Sequence, residues 1–281
     1  MDIYEGAVYR PPSEWKSLII QATIGCSHNK CTFCNMYKDK KFRVKSAKEI
    51  ISDIEKVKTC YTHADKIFLG DGDALSIATE ELLTVFNYIK KELTHIKSIA
   101  IYAHGKNLLE KSKDELLTLK KNGLEIIYLG LESGSDNVLE HINKGINSSK
   151  MMEGLQKAKE VGLKTSIMII SGMGGKERYL EHAIKSAEVL NKIQPDYISL
   201  LGLRIYKGSP LIKEIENGSF VLLDKLEILE ETLLFIEHLE LKSTIFRSNH
   251  ASNSYPLKGT LGKDKNKLLK QLDFAIKVSN K

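Results

Sequence analysis

The chain has 281 residues, 42% of them hydrophobic and 28% charged, which excludes a disordered segment and allows one large domain or two small ones. No apolar stretch is long enough to cross a bilayer and the N-terminus lacks the apolar core of a secretory leader, so no membrane partner and a cytoplasmic location are expected. The 42 Lys and Arg outnumber the 36 Asp and Glu, but they are spread along helical stretches without interleaved aromatics, which argues against a nucleic-acid partner.

Residues 1–16 form an N-terminal segment without strong pattern. An apolar run at 18–24 reads as a strand, followed by a cysteine-bearing loop and a helix at 46–60, where Ser46 and Glu49 have capping-box spacing. A strand at 66–69 and a helix at 79–93 come next, then a strand at 99–103 and a helix at 106–121. The pattern continues with a strand at 125–131, a helix at 149–161, a strand at 165–170, a helix at 176–193 and a strand at 197–203. Gly123 and Gly162 follow helix ends.

Strands that are apolar throughout, each followed by a helix, need cover on both faces. That is the pattern of a parallel α/β sheet. Six repeats fall short of the eight of a closed barrel, so an open doubly wound sheet and a partial barrel both remain. Residues 222–281 read as helix, short strand, polar loop and helix, a C-terminal α/β extension to a core at 17–221.

Cysteine is scarce, and three of the four, Cys26, Cys31 and Cys34, fall within nine residues after the first strand. Three thiolates on one loop can take three corners of an iron–sulfur cube and leave the fourth iron open to a ligand. The C-x4-C-x2-C spacing is also that of the first three ligands of a plant-type [2Fe–2S] ferredoxin, with Cys60 as the fourth. A zinc-stabilised binding module using His28 is a further alternative. Cys60 and Trp15 otherwise read as packing residues.

With Phe33 just before the third cysteine, the loop resembles that of the radical S-adenosylmethionine (SAM) superfamily, although the usual first gap is one residue shorter. The resemblance runs from about Ser17 to Leu211 and is strongest to the branch containing oxygen-independent coproporphyrinogen oxidases and methylthiotransferases. It implies a partial (β/α)6 barrel, a [4Fe–4S] cluster on Cys26, Cys31 and Cys34, and SAM as cofactor. Reductive cleavage of SAM would give a 5′-deoxyadenosyl radical that takes hydrogen from a small-molecule or peptide substrate. A flavodoxin- or ferredoxin-type protein would donate the electron.

The same resemblance implies site residues. Gly70, Asp71, Gly72 and Asp73 occupy the place of the segment that meets the SAM amino group. Glu132 and Ser133 end the fourth strand where a polar residue contacts SAM, and Lys144 takes the place of a basic residue that reaches its carboxylate. Gly172 lies in the glycine-rich segment that flanks the adenine. Arg204 and Tyr206, after the sixth strand, are candidate catalytic residues. From the density of hydrogen-bonding groups in the tail, Arg247, Asn249 and His250, with Asn253, are candidate substrate contacts.

Overall fold

A computed structural model describes residues 3–279. The first strand expected is two pieces, β1 (Leu18–Gln21) and β2 (Thr23–Ile24), because the β1 ladder ends at Gln21 and β2 pairs antiparallel with β3 (Arg43–Val44). Then follow α1 (Ala47–Val57), β4 (Lys66–Gly70), α2 (Thr79–Glu92), β5 (Ser98–Ala103), α3 (Gly105–Glu110), α4 (Lys113–Lys121) and β6 (Leu124–Glu132). Next come α5 (Asp136–His141), α6 (Ser148–Glu160), β7 (Lys164–Ser171), α7 (Gly175–Ile193), β8 (Tyr197–Gly202) and α8 (Leu211–Glu216). The chain closes with α9 (Lys225–His238), β9 (Ile245–Arg247), β10 (Lys258–Thr260) and α10 (Lys265–Ser279).

Local chemistry accounts for the boundaries. Ser46 and Glu49 form the expected capping box at the start of α1. A second box, Ser112 with Glu115, breaks the single helix expected over residues 106–121 into α3 and α4. Ser112 leaves the helical region to accept from the Glu115 amide, and the Glu115 carboxylate accepts from the Ser112 amide at 2.8 Å. A third box, Asp224 with Glu227, starts α9.

The chain divides into two compact units. The first holds β1 to β5, β6 as far as Leu129, and the end of α6. Its strands β1, β4, β5 and β6 pair in that order, all parallel, in a register that puts Ile19 beside Phe68 and Phe68 beside Ala100. One face of this sheet is filled by Ile19, Phe68, Ala100 and Tyr128, with Tyr102 edge-on to Phe68 at 4.8 Å. The buried Tyr128 hydroxyl is satisfied by Glu14 and, at 2.9 Å, by Ser13.

The second unit takes in Lys30–Asn35, the end of β6, β7 from Ser166 on, and everything after it. Here β7, β8 and β9 are parallel and β10 returns antiparallel on β9. The tail therefore contributes a further parallel strand to the sheet and packs α9 against α7 and α10. On β7, Ile167, Ile169 and Ser171 are buried while Met168 and Ile170 are half-buried. That alternation gives the strand one face under the helices and one open face, although its sequence is apolar on both.

Candidate functional site

In the first unit the predicted segment 70–73 lies behind the start of the cysteine loop. Asp71 is fully buried, and its Oδ2 accepts from the Gly25 amide at 3.0 Å, from Gln21 Nε2 at 3.0 Å and from Lys40 Nζ at 2.7 Å. Lys40 is itself only 5% exposed in its side chain, so the ion pair is desolvated on both sides. Three donors, one of them charged, replace water around this buried oxygen. Burial and then the Asp71 charge push the neighbouring Tyr37 phenol up.

Asp73 is equally buried and turns the other way. It accepts from the Ser27 hydroxyl, from the His104 amide at 3.3 Å and from Asn107 Nδ2 at 3.5 Å. Desolvation holds its carboxyl above the usual range, partly offset by those hydrogen bonds. The two residues flanking Cys26 are thus each gripped by a buried carboxylate, Gly25 by Asp71 and Ser27 by Asp73. His28 stacks on His104 with ring centroids 5.7 Å apart.

In the second unit the segment Lys30–Asn35, with Cys31, Phe33 and Cys34, is tied down by backbone. The Thr32 amide donates to the Ile142 carbonyl and the Leu211 amide to the Thr32 carbonyl, both at 3.0 Å. Asn143 Nδ2 donates to the Lys30 carbonyl at 3.2 Å and Asn35 Nδ2 to the Lys207 carbonyl at 3.0 Å. Cys26, Cys31 and Cys34 are all partly exposed. Cys60 and Trp15, expected to pack, are instead exposed.

Among the described residues no three His, Cys, Asp or Glu side chains are gathered around one metal-sized point. The donor set itself suits iron–sulfur ligation: three cysteines within nine residues, each partly exposed. A cube takes one thiolate at each of three separate irons, so convergence on one point is not what it asks of them.

Glu132 and Lys144 form a buried ion pair at 3.0 Å. Glu132 adopts a left-handed φ of 66°, which folds its carboxylate back over Gly130, where a Cβ would overlap Oε1. Ser133 is fully buried, and its Oγ meets His182 Nδ1 of α7 at 2.8 Å. At the end of β7 the Ser171 hydroxyl and the Gly172 amide both donate to Glu231 Oε2 of α9. The sequence reading named neither His182 nor Glu231. The available signal was a titratable residue inside a buried helical stripe: His182 falls in line with Ser186, Val189 and Ile193, and Glu231 with Phe235.

The candidates after β8 are held by hydrogen bonds of their own. Arg204 donates to the Ala251 carbonyl, and Tyr206 is 47% exposed. Arg247 is an exposed residue of β9 whose guanidinium donates to the Phe246 carbonyl at 2.8 Å. Asn249 is exposed and His250 Nδ1 meets Ser252 Oγ at 2.8 Å. Burial and the neighbouring Arg204 charge lower the His250 pKa. Asn253 Nδ2 donates to the Leu200 and Ser248 carbonyls, and Ser252 Oγ accepts from the Gly202 amide. This polar loop is docked on the end of β8. A largely apolar cavity of about 590 Å³ lies beside it, bordered by Gly172, Leu203, Ile228, Leu272 and Phe274.

Comparison with known proteins identifies the family. The family model of the radical SAM superfamily matches residues 20–187, more than half of the chain. The heme chaperone HemW of Bacillus subtilis is 26% identical over 155 residues, which cover 54% of this chain and 40% of that protein. Coproporphyrinogen III oxidase (HemN) of Escherichia coli, described as a radical SAM enzyme, shares the fold with a TM-score of 0.60 at 18% identity, over 79% of this chain and 52% of that one. The radical SAM methyltransferase TsrM of Kitasatospora setae, solved with cobalamin and a [4Fe–4S] cluster, gives a TM-score of 0.59 at 14% identity, over 77% and 44%. The chain thus spans about half or less of the length of each. At these identities the structural likenesses establish the fold, the α/β partial barrel expected from the sequence. With more than half of its residues matched by the family model and its fold shared with solved members, this chain belongs to the radical SAM superfamily, whose enzymes use a [4Fe–4S] cluster and SAM.

Proposed function

We propose that this chain is an enzyme that holds its cluster through Cys26, Cys31 and Cys34 and acts on a small-molecule or peptide substrate. The observation that carries the reading is the cysteine loop itself: three partly exposed cysteines within nine residues, in a chain of this family. When bound, the cluster supplies one electron to SAM, whose cleavage yields the radical that abstracts hydrogen from the substrate. A flavodoxin- or ferredoxin-type protein provides that electron. No helix among the described residues is long and apolar enough to cross a membrane, and we place the enzyme in the cytoplasm.

The chain's own residues then bind and orient. Asp71 accepts from the Gly25 amide and Asp73 from the Ser27 hydroxyl on either side of Cys26, Gly72 lets the chain pass close behind it, and Gly70 leads into this segment. Together with Phe33 this segment borders the methionyl end of SAM. Glu132 and Ser133 would contact SAM at the end of β6, Lys144 would pair with its carboxylate, and Gly172 would flank the adenine. Arg204, Tyr206, Arg247, Asn249 and His250 supply substrate contacts; that assignment rests on their chemistry and their place after β8.

The test is anaerobic reconstitution with iron and sulfide, followed by spectroscopy with and without SAM. A four-iron spectrum that changes on adding SAM is the expected result. Cys26→Ala, Cys31→Ala and Cys34→Ala should each abolish it, and Cys60→Ala should not. A dependence on Cys60 equal to the other three would replace this reading with a ferredoxin-type centre.

A further inference from the structure

Glu231 is 2% exposed and lies on α9, beyond the residues that match the family model. Its Oε2 accepts from the Ser171 hydroxyl and from the Gly172 amide at 2.8 Å. The nearest ring nitrogen to its other oxygen, His182 Nε2, is 4.0 Å from Oε1. Burial holds that imidazole neutral, with a pKa lowered to about 4, so it gives Glu231 no opposite charge. Desolvation correspondingly pushes the Glu231 carboxyl up to about 7. A carboxyl in so unfavourable a place needs a reason, and α9 would pack better with a Leu or Met there.

The two donors point to the reason. Ser171 is the last residue of β7 and Gly172 is the first of the turn beyond it, left-handed at φ 83°. A turn residue of that kind has an amide that can face either way, and a buried acceptor decides which. Glu231 takes the amide and the adjacent hydroxyl from the helix-covered face of β7. His182 does the same one strand away: its Nδ1 meets Ser133 Oγ, and its ring also hydrogen-bonds the Ile170 carbonyl. One buried polar side chain from α7 and one from α9 therefore back the ends of β6 and β7, where the reading above puts SAM.

We propose that Glu231 is a positioning residue for SAM: it fixes the Ser171–Gly172 turn from behind, so that the open face of the turn is already shaped for the adenosyl group. The proposal rests on the assignment of Gly172 to the adenine and makes α9 part of the cofactor site. Groups held in place before binding spare the ligand the cost of ordering them.

The test compares wild-type protein, Glu231→Ala, Glu231→Gln and Ser171→Ala after anaerobic reconstitution. SAM affinity is measured by equilibrium dialysis, alongside iron per chain and the thermal midpoint. Glu231→Ala is expected to weaken SAM binding by about tenfold or more with iron content unchanged. Glu231→Gln retains an amide oxygen that can accept both bonds and should stay within about threefold of wild type. Ser171→Ala leaves α9 intact, removes one donor, and should weaken SAM in the same direction, which keeps the test decisive if Glu231→Ala does not fold. Wild-type affinity in Ser171→Ala and in every folded Glu231 variant, with a lowered thermal midpoint, would overturn the proposal and leave Glu231 structural. Wild-type protein that loads four irons but binds no SAM would instead overturn the family reading on which the proposal stands.

Discussion

Gly72 and Cys26 approach so closely that a Cβ added to Gly72 would sit 2.8 Å from the Cys26 Cβ, and 2.7 Å from a ring carbon of Tyr37. The carboxylates on either side of Gly72 hold the residues on either side of Cys26, so this contact has little room to relax. Gly72→Ala should therefore displace Cys26, lower iron per chain after reconstitution, and destabilise the fold by ~1–3 kcal/mol, the usual cost of overpacking. Full iron loading at an unchanged thermal midpoint would show that the loop gives way without consequence.

Much of this architecture was open to a reading of the sequence. All six expected strands correspond to β1 with β2, β4, β5, β6, β7 and β8, because long apolar runs carry a clear period. Helices of six residues, such as α5 and α8, are too short to show one, and the strands β9 and β10 are only three residues each. The break at Lys111–Ser112 was written in the capping box Ser112–Glu115, but a continuous apolar period ran across it. The cysteines were legible because their chemistry is local to nine residues. Glu231 and His182 were not, because their partners Ser171 and Ser133 lie 60 and 49 residues away. Likewise the aspartates at the end of β4 were visible as polar residues, and only the folded chain shows Asp71 turned to Gly25 and Asp73 to Ser27.

The Glu132–Lys144 pair separates a structural from a binding role. Its side chains are 12% and 9% exposed. Lys144→Ala leaves a largely buried carboxylate without its partner and should cost ~3–5 kcal/mol. The neutral double variant Glu132→Gln, Lys144→Met should recover most of that stability, since neither side chain then carries a charge. Its SAM affinity should stay about one to two decades below wild type, the worth of lost hydrogen bonds to charged groups. Wild-type SAM affinity in the double variant would make the pair a packing feature only.

The buried couple of His182 and Glu231 predicts opposed pH dependences. Glu231 is raised from 4.5 to about 7 by desolvation, so between those values the folded protein keeps a proton that the unfolded chain has released. Stability from this group is therefore greatest below pH 4.5 and is lost as pH rises towards 7. His182 is lowered from 6.5 to about 4, also by desolvation, so between those values the unfolded chain holds a proton that the folded protein lacks. Stability from this group is full above pH 6.5 and is lost as pH falls towards 4. Each slope is worth ~3 kcal/mol across its window at ~1.4 kcal/mol per pH unit, and over the shared range the two nearly cancel. The Ser133 and Ser171 hydroxyls, the Gly172 amide and the Ile170 carbonyl that contact them do not titrate in this range. Glu231→Gln removes the carboxyl's slope, so its urea midpoint should rise relative to wild type from pH 4.5 to about 7. His182→Gln removes the imidazole's slope, so its midpoint should fall relative to wild type from about pH 4 to 6.5. Taking each variant against wild type at the same pH removes the background of all other titrating groups. Profiles parallel to wild type in both variants would mean that neither group is held away from its ordinary pKa, and that the space between α7 and α9 is wetter than the structure shows.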